Sequence, residues 1–385
     1  MMRILFMADV PHNPHSGAAG TEVQTIEALR ALGHEVDAIW SDSLGRRIRH
    51  GNLHLLLELP GTYACAAARA IREKRYDVVH VNQPHGFRAA RIVHRLSPGT
   101  AFIHRSHGFE LNVEHTLRPW RTMYGTDERS VVRRISSRLI GSLLDRHGRA
   151  IAARADGHIV SSSRDADFLR NRLGVAAEKI AVIPQAAPLS YTRIPAPPMA
   201  PERLVRVLHV AQFAFFKAPM ITAEAMNRLA AADPNLRFTW VCDRSSEAAI
   251  RALLRAETNE QMTVVPWTTQ DALRDIYDAH GIFLFPSFFE GFGKAFLEAM
   301  SRGLCVVASD VGGMHDVIES GKNGMLVPPG DANALADEAL AIVRDPARSA
   351  IISAAAAQTA RAYTWERVAR ETAAFYQSRL NAMRR

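Results

Sequence analysis

The sequence contains few cysteines and no long apolar segment. Its three cysteines, Cys65, Cys242 and Cys305, are odd in number and widely separated. This argues against a disulfide framework or a cysteine-based zinc site and favours a reducing compartment. No apolar run reaches the roughly 18 residues that a membrane-spanning helix requires. Residues 1–9 resemble a short strand ending in an acid rather than a signal peptide. These absences predict a cytoplasmic protein.

Two functional signatures are also absent. The loop over residues 11–22 reads Pro-His-Asn-Pro-His-Ser-Gly-Ala-Ala-Gly-Thr-Glu and lacks the GxGxxG pattern of dinucleotide-binding folds. No aromatic-rich recognition module accompanies the basic residues, which argues against nucleic acid as a partner. The composition is that of an ordinary globular protein, with 48% hydrophobic and 22% charged residues among 385. This length is sufficient for two or three domains.

Positive charge is concentrated in the first half of the chain. Residues 1–190 hold 26 Lys and Arg against 18 Asp and Glu, a net of +8, whereas residues 191–385 hold 21 of each. The most basic segment, residues 118–154, has nine arginines and three acids, with apolar residues at helical spacing. This pattern is typical of a packed helix with a solvated arginine face, or of a basic amphipathic helix on an anionic membrane surface. Both interpretations stay open.

Strand-like and helix-like segments alternate along the chain. Six prolines between residues 184 and 201 interrupt the alternation and indicate an interdomain linker. On each side of the linker, the alternation predicts a parallel sheet with helices on both faces. The strand-like segments are residues 3–8, 34–40, 77–81, 101–105 and 157–161 before the linker, and residues 204–210, 237–241, 262–265, 282–285 and 305–309 after it.

The predicted architecture is therefore α/β, with two tandem Rossmann-like domains. The first domain covers residues 1–190 and the second covers residues 191–365. The prediction leaves open whether a last helix, about residues 366–385, packs back on the first domain. Because ligands of such sheets bind beyond the carboxyl ends of the strands, the cleft between the two domains is the expected site.

The most informative segment begins at Glu290 and ends at Glu298, reading Glu-Gly-Phe-Gly-Lys-Ala-Phe-Leu-Glu. An apolar strand precedes its glycine turn and a helix follows, which makes an anion-binding corner because the first N–H groups of a helix lack internal partners. Eight helical residues rise about 12 Å, more than the roughly 5–9.5 Å between a glycosidase acid and base. The two acids therefore suit the two ends of an elongated ligand with a phosphate between them. The alternative is a solvated Glu298 and a Glu290 stabilised by the helix dipole.

Three further candidates are weaker. Gly17 and Gly20 lie in the loop before the first helix, where glycine allows the backbone to approach a ligand closely. His107 follows a strand, and Lys217 follows the first strand of the second domain. If they are functional, His107 meets substrate in the cleft and Lys217 binds a phosphate. A structural histidine and a surface lysine are the competing interpretations.

In their order along the chain, these motifs resemble those of retaining GT-B glycosyltransferases of the large group 1, or family 4, class. Residues 285–303, 306–313 and 321–327 carry the specific part of the resemblance. Residues 17–22 and 77–81 and the pair His107-Gly108 match more loosely, so that the resemblance covers essentially the whole chain. It implies a GT-B fold, with two tandem Rossmann-like domains whose parallel sheets face an interdomain cleft.

The resemblance also implies a reaction, a substrate class and a set of site residues. A sugar would move from a nucleotide-diphospho-sugar to a hydroxyl acceptor with retention, without a metal ion or a cofactor. His107 and Glu290 are the expected catalytic residues, with His107 beside the reacting sugar carbon. The expected substrate contacts are Glu298 at the ribose, Glu290 with the backbone of Gly291, Phe292 and Gly293 at the donor sugar, Lys217 at the diphosphate, and Gly17 and Gly20 in the loop against it.

Three places depart from the family pattern. The loop that begins Cys242-Asp-Arg-Ser lacks the glycines often found there, and Asp316 stands where the family usually has a glutamate. The third departure concerns the diphosphate. The family usually has an arginine five residues before the phosphate-binding lysine, and this sequence has Gln212 there. Gln212 is an expected substrate contact, and one positive charge is missing beside Lys217. Lower donor affinity, another arginine or an unusual donor would each account for it. Two alternative functions therefore stay open: a nucleotide-sugar epimerase or hydrolase on the same fold, and a non-catalytic nucleotide-sugar-binding protein.

The acceptor is expected to bind the first domain, as it does in the family. Because that domain is the basic one, an anionic or membrane-interface acceptor is expected, such as a phosphorylated or lipid-linked molecule or glycan. A soluble small molecule is the alternative. The prediction for location is cytoplasmic, with a peripheral position at the inner membrane surface left open.

Overall fold

The computed structural model describes residues 1–13, 17–124 and 131–385. These residues form two compact units. The first comprises Met1–Gln185 together with Trp365–Arg385, and the second comprises Ala186–Thr364.

The first unit contains a six-stranded parallel sheet in the order β2-β1-β3-β4-β5-β6. Its strands are β1 Arg3–Met7, β2 Glu35–Ile39, β3 Val78–Asn82, β4 Ala101–Arg105, β5 Gly157–Val160 and β6 Ile180–Val182. The chain adds β2 on one side of β1 and then β3 on the other. This reversal is the topological switch point at which open α/β sheets bind ligands.

The second unit repeats the plan with the order β12-β11-β10-β7-β8-β9, again all parallel. Its strands are β7 Arg206–Val210, β8 Arg237–Cys242, β9 Met262–Pro266, β10 Ile282–Phe285, β11 Cys305–Ser309 and β12 Met325–Val327. Here the switch point lies between β7 and β10. The prediction of two Rossmann-like domains with parallel sheets is confirmed. Strands β6 and β12 were not predicted, because an apolar run of three residues is too short to distinguish a strand from a turn.

The helices follow the strands in alternation. Those of the first unit are α1 Gly17–Ala31, α2 Ser41–Leu44, α3 Gly51–Leu53, α4 Leu59–Glu73, α5 Phe87–Leu96, α6 Glu110–Met123, α7 Val131–Arg154 and α8 Ser163–Leu173. A π-helical turn, His54–Glu58, joins α3 to α4. Those of the second unit are α9 Leu189–Thr192, α10 Pro201–Leu204, α11 Pro219–Ala232, α12 Glu247–Leu253, α13 Ala256–Glu260, α14 Gln270–Asp278, α15 Lys294–Ser301, α16 Gly312–Val317, α17 Ala332–Arg344 and α18 Pro346–Arg361. The last helix, α19 Trp365–Met383, belongs to the first unit.

The basic segment of the sequence forms two helices, α6 and α7. Residues 125–130 between them, which include Asp127 and Glu128, lie outside the described residues, as do the side chains of residues 131–138. Within the part of the chain that the structure describes, no helix is long and apolar enough to cross a membrane.

Helix α1 begins earlier than the sequence suggested. It includes Gly17 and Gly20, so that both lie in its first turn and not in the preceding loop. The prediction of a loop is wrong for residues 17–22, because glycine disfavours a helix by only about 1 kcal/mol. The N-terminus of α1 is consequently formed by the glycine segment itself.

The proline-rich linker is fixed by a buried arginine. The fully buried guanidinium of Arg302 forks onto the carboxylate of Asp278, with N–O distances of 2.6 and 3.0 Å. It also donates to the carbonyl oxygens of Tyr191, Ile194 and Pro195 at 2.6–3.0 Å. Linker carbonyls that have no helix or sheet partner are satisfied in this way.

A buried apolar core holds α15 against β10 and β11. Every residue of these two strands is buried, and Phe296, Leu297 and Met300 of α15 pack against them. Burying each such side chain is worth about 1.5–3 kcal/mol. The core therefore fixes the turn between β10 and α15 from both of its ends.

Two glycines shape that turn. Gly293 has a left-handed φ of +89° and stands immediately before α15. Gly312, at the start of α16, has a φ of +52°, and a Cβ atom there would collide with the carbonyl oxygen of Glu290. The chain after β11 therefore lies directly against the backbone of the turn.

We expect Gly312→Ala to lower the free energy of unfolding by about 1–3 kcal/mol more than Gly321→Ala, because overpacking adds to the backbone strain. Both glycines have positive φ values, +52° and +83°, but a Cβ atom at position 321 meets no atom within 4 Å. Gly321→Ala is therefore the matched control for strain alone. Urea unfolding followed by tryptophan fluorescence measures the difference. Equal values for the two variants would show that the contact with Glu290 is loose.

Candidate functional site

Lys217 and Glu290 meet at the switch point of the second sheet. Lys217 follows β7 and Glu290 follows β10, its neighbour, and Lys217 Nζ donates to Glu290 Oε1 at 2.5 Å. Ser287 Oγ donates to the same oxygen at 2.7 Å. The two loops are joined by a hydrogen bond of 2.9 Å from the Phe288 N–H to the Phe216 carbonyl. Lys217 and Glu290, which are 73 positions apart in the sequence, thus belong to one polar cluster.

Aromatic rings surround the lysine. Lys217 Nζ lies 5.2 Å from the ring centroid of Phe216 and 5.0 Å from that of Phe285. Both the lysine and Glu290 side chains are largely buried, with 16% and 7% of their surface exposed. Aromatic rings attract an ammonium group, and the low exposure of both side chains strengthens the ion pair. The ammonium group has three N–H donors, so that two remain for an anionic ligand.

The glycine turn adds backbone donors beside this ion pair. Gly291, Phe292 and Gly293 lead into α15, which begins at Lys294. The N–H of Phe296 donates to the Gly293 carbonyl at 3.0 Å, whereas the N–H groups of Lys294 and Ala295 have no partner within the helix and point toward its N-terminal end. The strand, glycine turn and helix that make up the predicted corner are present, and its binding of an anion stays a prediction.

Glu298 lies on α15 and is buried. Tyr277 Oη donates to its Oε2 at 3.2 Å, and Lys294 Nζ lies 3.8 Å from its Oε1. Burial raises the pKa of Glu298, although Lys294 and the Tyr277 hydroxyl act in the opposite direction. The alternative of a solvated helix residue is therefore wrong for Glu298.

Gln212 lies in the loop between β7 and Lys217. Gln212 is exposed. Its backbone carbonyl oxygen accepts a hydrogen bond of 2.8 Å from the N–H of Ala214. The family pattern has a charged arginine side chain at this position, and this chain has the neutral amide of Gln212. The role of Gln212 as a substrate contact stays a prediction.

In the first unit, His107 has both ring nitrogens bound. It follows β4, and its Nε2 is hydrogen-bonded to Oε1 of Glu22 on α1. Its Nδ1 lies 3.2 Å from Nε2 of Gln185, whose Oε1 accepts a hydrogen bond of 3.3 Å from Thr21 Oγ1. The His107 side chain is 21% exposed, whereas Glu22 is fully buried.

The charge on Glu22 is set by its neighbours. Burial alone would raise its pKa, but the hydrogen bond with His107 and the charge of Arg105 act in the opposite direction, and the pKa is lowered to about 2. Arg105 is also fully buried, at the end of β4. Its Nε and Nη2 have no hydrogen-bond partner among the described residues. The carboxylate behind His107 therefore stays ionised through electrostatic attraction.

Buried histidines continue this polar group through the sheet. His80 on β3 has a pKa lowered to about 3 by burial, and its Nδ1 lies 2.5 Å from Tyr376 Oη of α19. His104 on β4 and His158 on β5 face each other at 3.1 Å between their Nδ1 atoms. Burial lowers the pKa of each, to about 4 for His158. These histidines are neutral structural residues and not candidate acids or bases.

The structure thus assembles the predicted residues in two groups, one in each unit. Lys217, Glu290 and the glycine turn belong to the second unit, and His107 belongs to the first. Gly17 and Gly20 form the start of α1 and precede Glu22 by five and two residues. Sequence reasoning did not assign Glu22 or Gln185. The position of Glu22 directly after the glycine segment could have identified it as a candidate site residue. No feature of the sequence around Gln185 indicates a role.

Two family models match the sequence. A model described as Glycosyltransferase Family 4 matches residues 16–191, and a model described as Glycosyl transferases group 1 matches residues 205–345. The two models together cover most of the chain.

Curated relatives carry the same type of name. A D-inositol 3-phosphate glycosyltransferase of Streptomyces bingchenggensis is 28% identical over 254 residues, covering 61% of this chain and 55% of the relative. A D-inositol 3-phosphate glycosyltransferase 1 of Catenulispora acidiphila is 27% identical over 325 residues, covering 80% and 74%. In the alignments with the Streptomyces protein and two Rhodococcus proteins, the chain spans about half the length of the relative, 52–55%.

Solved structures show the same fold over the whole chain. A sucrose-phosphate synthase from Thermosynechococcus elongatus has a TM-score of 0.77 and 23% identity, covering 99% of this chain and 100% of that chain. Anabaena HepE in complex with UDP has a TM-score of 0.68 and 17% identity, covering 98% and 100%. At these identities the likeness establishes the fold alone. With the two family models and the two parallel sheets, it shows that the chain belongs to the group 1, family 4 class of glycosyltransferases with the GT-B fold.

Proposed function

We propose that the protein is a retaining glycosyltransferase that moves a sugar from a nucleotide-diphospho-sugar to a hydroxyl acceptor without a metal ion. One observation carries the proposal. Lys217 and Glu290 form an ion pair beside a glycine turn and a helix start, at the switch point of a parallel sheet. A cation, a carboxylate and unpaired N–H groups together suit a ligand that joins an anionic diphosphate to a hydroxyl-rich sugar.

The proposed donor contacts follow from this arrangement. The N–H groups of Lys217 and of the start of α15 bind the diphosphate, where each hydrogen bond to a charged group is worth about 1.5–3 kcal/mol. Glu290 and the turn over residues 291–293 hold the donor sugar, and Glu298 accepts hydrogen bonds from the ribose hydroxyls. Anabaena HepE was solved with UDP and with UDP-glucose, which supports uridine nucleotides as the first donors to test.

The proposed chemical step transfers the sugar with retention. The acceptor hydroxyl oxygen bonds to the anomeric carbon on the face from which the diphosphate departs. The bond from that carbon to the diphosphate oxygen breaks, and the hydroxyl proton goes to the leaving phosphate. His107 lies beside the reacting carbon in this scheme. The protein acts by positioning the reactants and stabilising the charge that develops.

The test begins with thermal-shift measurements on UDP, GDP, ADP and TDP, because a ligand that binds only the folded state raises the apparent stability. Sugar conjugates of the best nucleotide are then incubated with D-inositol 3-phosphate, which appears in the names of several relatives, and with a panel of hydroxyl acceptors. Proton NMR should show that the transferred sugar keeps the anomeric configuration that it has in the donor. Addition of EDTA should leave the rate of transfer unchanged.

We expect Glu290→Ala to lower kcat by about 10²-fold or more. Its control is Glu319→Ala, which changes an exposed glutamate of the same unit and should retain full activity.

The outcomes separate the possible functions. An inverted product would contradict retention, and a loss of activity with EDTA would contradict metal independence. Free sugar or an epimerised donor, formed equally with and without acceptor, would favour a hydrolase or an epimerase. Donor binding without turnover on the whole panel would favour a non-catalytic binding protein. Full activity of both His107→Ala and Glu290→Ala would overturn the assignment of the site.

The binding of the ribose by Glu298 predicts a pH dependence. A carboxyl group with a raised pKa becomes protonated at a higher pH than an ordinary glutamate, and burial raises the pKa of Glu298. The ionised form accepts both ribose hydroxyls, so that donor affinity should fall as the pH is lowered through this raised pKa. Calorimetry with the nucleotide-sugar between about pH 5 and pH 8 measures this linkage.

Two controls isolate Glu298. Glu298→Gln should bind more weakly with little pH dependence, and a 2′,3′-dideoxy nucleotide-sugar should bind the unchanged protein without that pH dependence. If the dideoxy compound shows the same pH profile, then Glu298 does not bind the ribose.

We further infer an anionic acceptor at a membrane interface. The net charge of +8 lies within residues 1–190, and several relatives are named for a phosphorylated acceptor. The basic helices α6 and α7 also expose apolar side chains, with Met123 69% and Leu139 63% exposed. Exposed arginines with neighbouring apolar side chains suit an anionic lipid surface.

We expect co-sedimentation with vesicles that contain anionic lipid, and little with neutral vesicles. The double variant Arg146→Glu/Arg149→Glu on α7 should weaken this binding strongly, because each basic residue near the surface is worth about 1 kcal/mol. Arg72→Glu/Arg75→Glu makes the same charge change on exposed arginines around the end of α4 and should have the smaller effect. Equal sedimentation with neutral and anionic vesicles would contradict the membrane contact.

A further inference from the structure

The strongest remaining feature is the buried group of side chains around His107. Both ring nitrogens of this histidine are bound to residues of the first unit, Nε2 to Glu22 and Nδ1 to Gln185. The three residues come from different parts of that unit: Glu22 from α1, His107 from the loop after β4, and Gln185 from the end of the segment after β6. The ring is therefore held from two sides.

The hydrogen bonds around the ring have a consistent direction. Thr21 Oγ1 donates to Gln185 Oε1, and with the amide in this orientation its Nε2 faces His107 Nδ1. Because an amide nitrogen only donates, His107 Nδ1 is the acceptor. In the neutral ring the proton is then on Nε2, and the carboxylate of Glu22 accepts it. In this arrangement three side chains, those of Thr21, Gln185 and Glu22, favour one tautomer of the histidine.

The cost of burying Glu22 indicates a role beyond stability. Removing a carboxylate from water costs several kcal/mol, and well-packed apolar residues are often equally stable or more stable at such positions. Glu22 is fully buried, and its Oε2 has no hydrogen-bond partner among the described residues. Glu22 is hydrogen-bonded to His107 and interacts electrostatically with Arg105 from β4, His80 from β3 and Tyr376 from α19. Only His107, among these, is accessible to a ligand, with 21% of its side chain exposed.

We propose that Glu22 and Gln185 are positioning residues for glycosyl transfer, and that Thr21 orients Gln185. Together they hold the His107 ring in one orientation with its proton on Nε2. This proposal rests on the proposed function, in which His107 meets the reacting sugar. While the arrangement is intact, both ring nitrogens are occupied, so that His107 does not take the acceptor's proton. Its contribution is a fixed ring, backed by the buried charge of Glu22.

The tautomer can be measured without substrate. In protein labelled with ¹⁵N-histidine, the His107 signals are assigned by their loss in His107→Asn. We expect the free protein at neutral pH to show a protonated Nε2 and an unprotonated Nδ1. Gln185→Glu places an acceptor at Nδ1 and should give the pattern of a ring protonated at both nitrogens. Thr21→Val should broaden or mix the two tautomers, because the amide is then free to turn.

The control is Thr372→Val on α19. Thr372 is fully buried in the same unit, and its Oγ1 has no hydrogen-bond partner among the described residues. This variant changes the same atoms as Thr21→Val and should leave the His107 signals unchanged. A protonated Nδ1 in the free protein, or signals that do not change in Gln185→Glu and Thr21→Val, would overturn the proposal.

Kinetics test whether this positioning matters for the reaction. Glu22→Ala, which loses both the charge and the acceptor, should lower kcat by about 10²-fold with the donor KM within about threefold, because a misplaced group loses transition-state rather than ground-state contacts. Glu22→Gln keeps an acceptor and should restore part of this loss. If Glu22→Ala does not fold, as judged by circular dichroism, Thr21→Val and Gln185→Glu take its place.

The two parts of the test fail separately. The expected NMR pattern with an unchanged kcat in every variant would contradict a positioning role, although the hydrogen bonds themselves were correct. If the unchanged protein transfers no sugar to any acceptor, the proposed function is wrong, and the NMR result alone decides whether Glu22 and Gln185 fix the ring.

Discussion

Both units depend on one constraint. A strand in the middle of a parallel sheet is buried on both faces, so that polar side chains avoid a large desolvation cost only where the strand ends. The second unit follows this constraint. All residues of β10 and β11 are buried, and most are apolar, whereas Ser287 and Glu290 come after β10 and Lys217 comes after β7. Because β7 and β10 are neighbours, the carboxylate and the ammonium group meet at one edge. The sheet order, rather than proximity in sequence, creates the ion pair.

The first unit departs from the same constraint, and the departure is concentrated near His107. Its strands bury His80, His104, Arg105 and His158. Burial keeps these histidines neutral, but Arg105 carries a charge that the buried carboxylate of Glu22 balances. The hydrogen bond between His80 and Tyr376 extends this polar group to α19. The C-terminal helix is thereby part of the environment of the candidate catalytic histidine, although about 270 residues separate them in sequence.

Periodicity and glycine motifs predicted the two parallel sheets and the segment from Glu290 to Glu298, because both signals are local. The contacts that define the candidate site are not local. Glu22 and His107 are 85 residues apart, and Thr21 and Gln185 are 164 apart. No spacing rule reaches that far, so that the partners of His107 could not be assigned from one sequence. The start of α1 was misplaced for a local reason, since glycine disfavours a helix by only about 1 kcal/mol and tertiary packing overrides it.

The ion pair between Lys217 and Glu290 also bears on the missing arginine at position 212. Lys217 and Ser287 both contact Oε1 of Glu290, so that these bonds leave Oε2 for a ligand. One of the three N–H groups of Lys217 is used, and two remain. The proposed donor therefore does not need to break the pair: the diphosphate binds the lysine while a sugar hydroxyl binds the carboxylate. With neutral Gln212 in the loop, the diphosphate meets one positive side chain fewer. In the proposed complex the start of α15, equivalent to about half a positive charge, would then carry a larger share of donor binding than it would beside an arginine at position 212, which would make the position of the glycine turn more important.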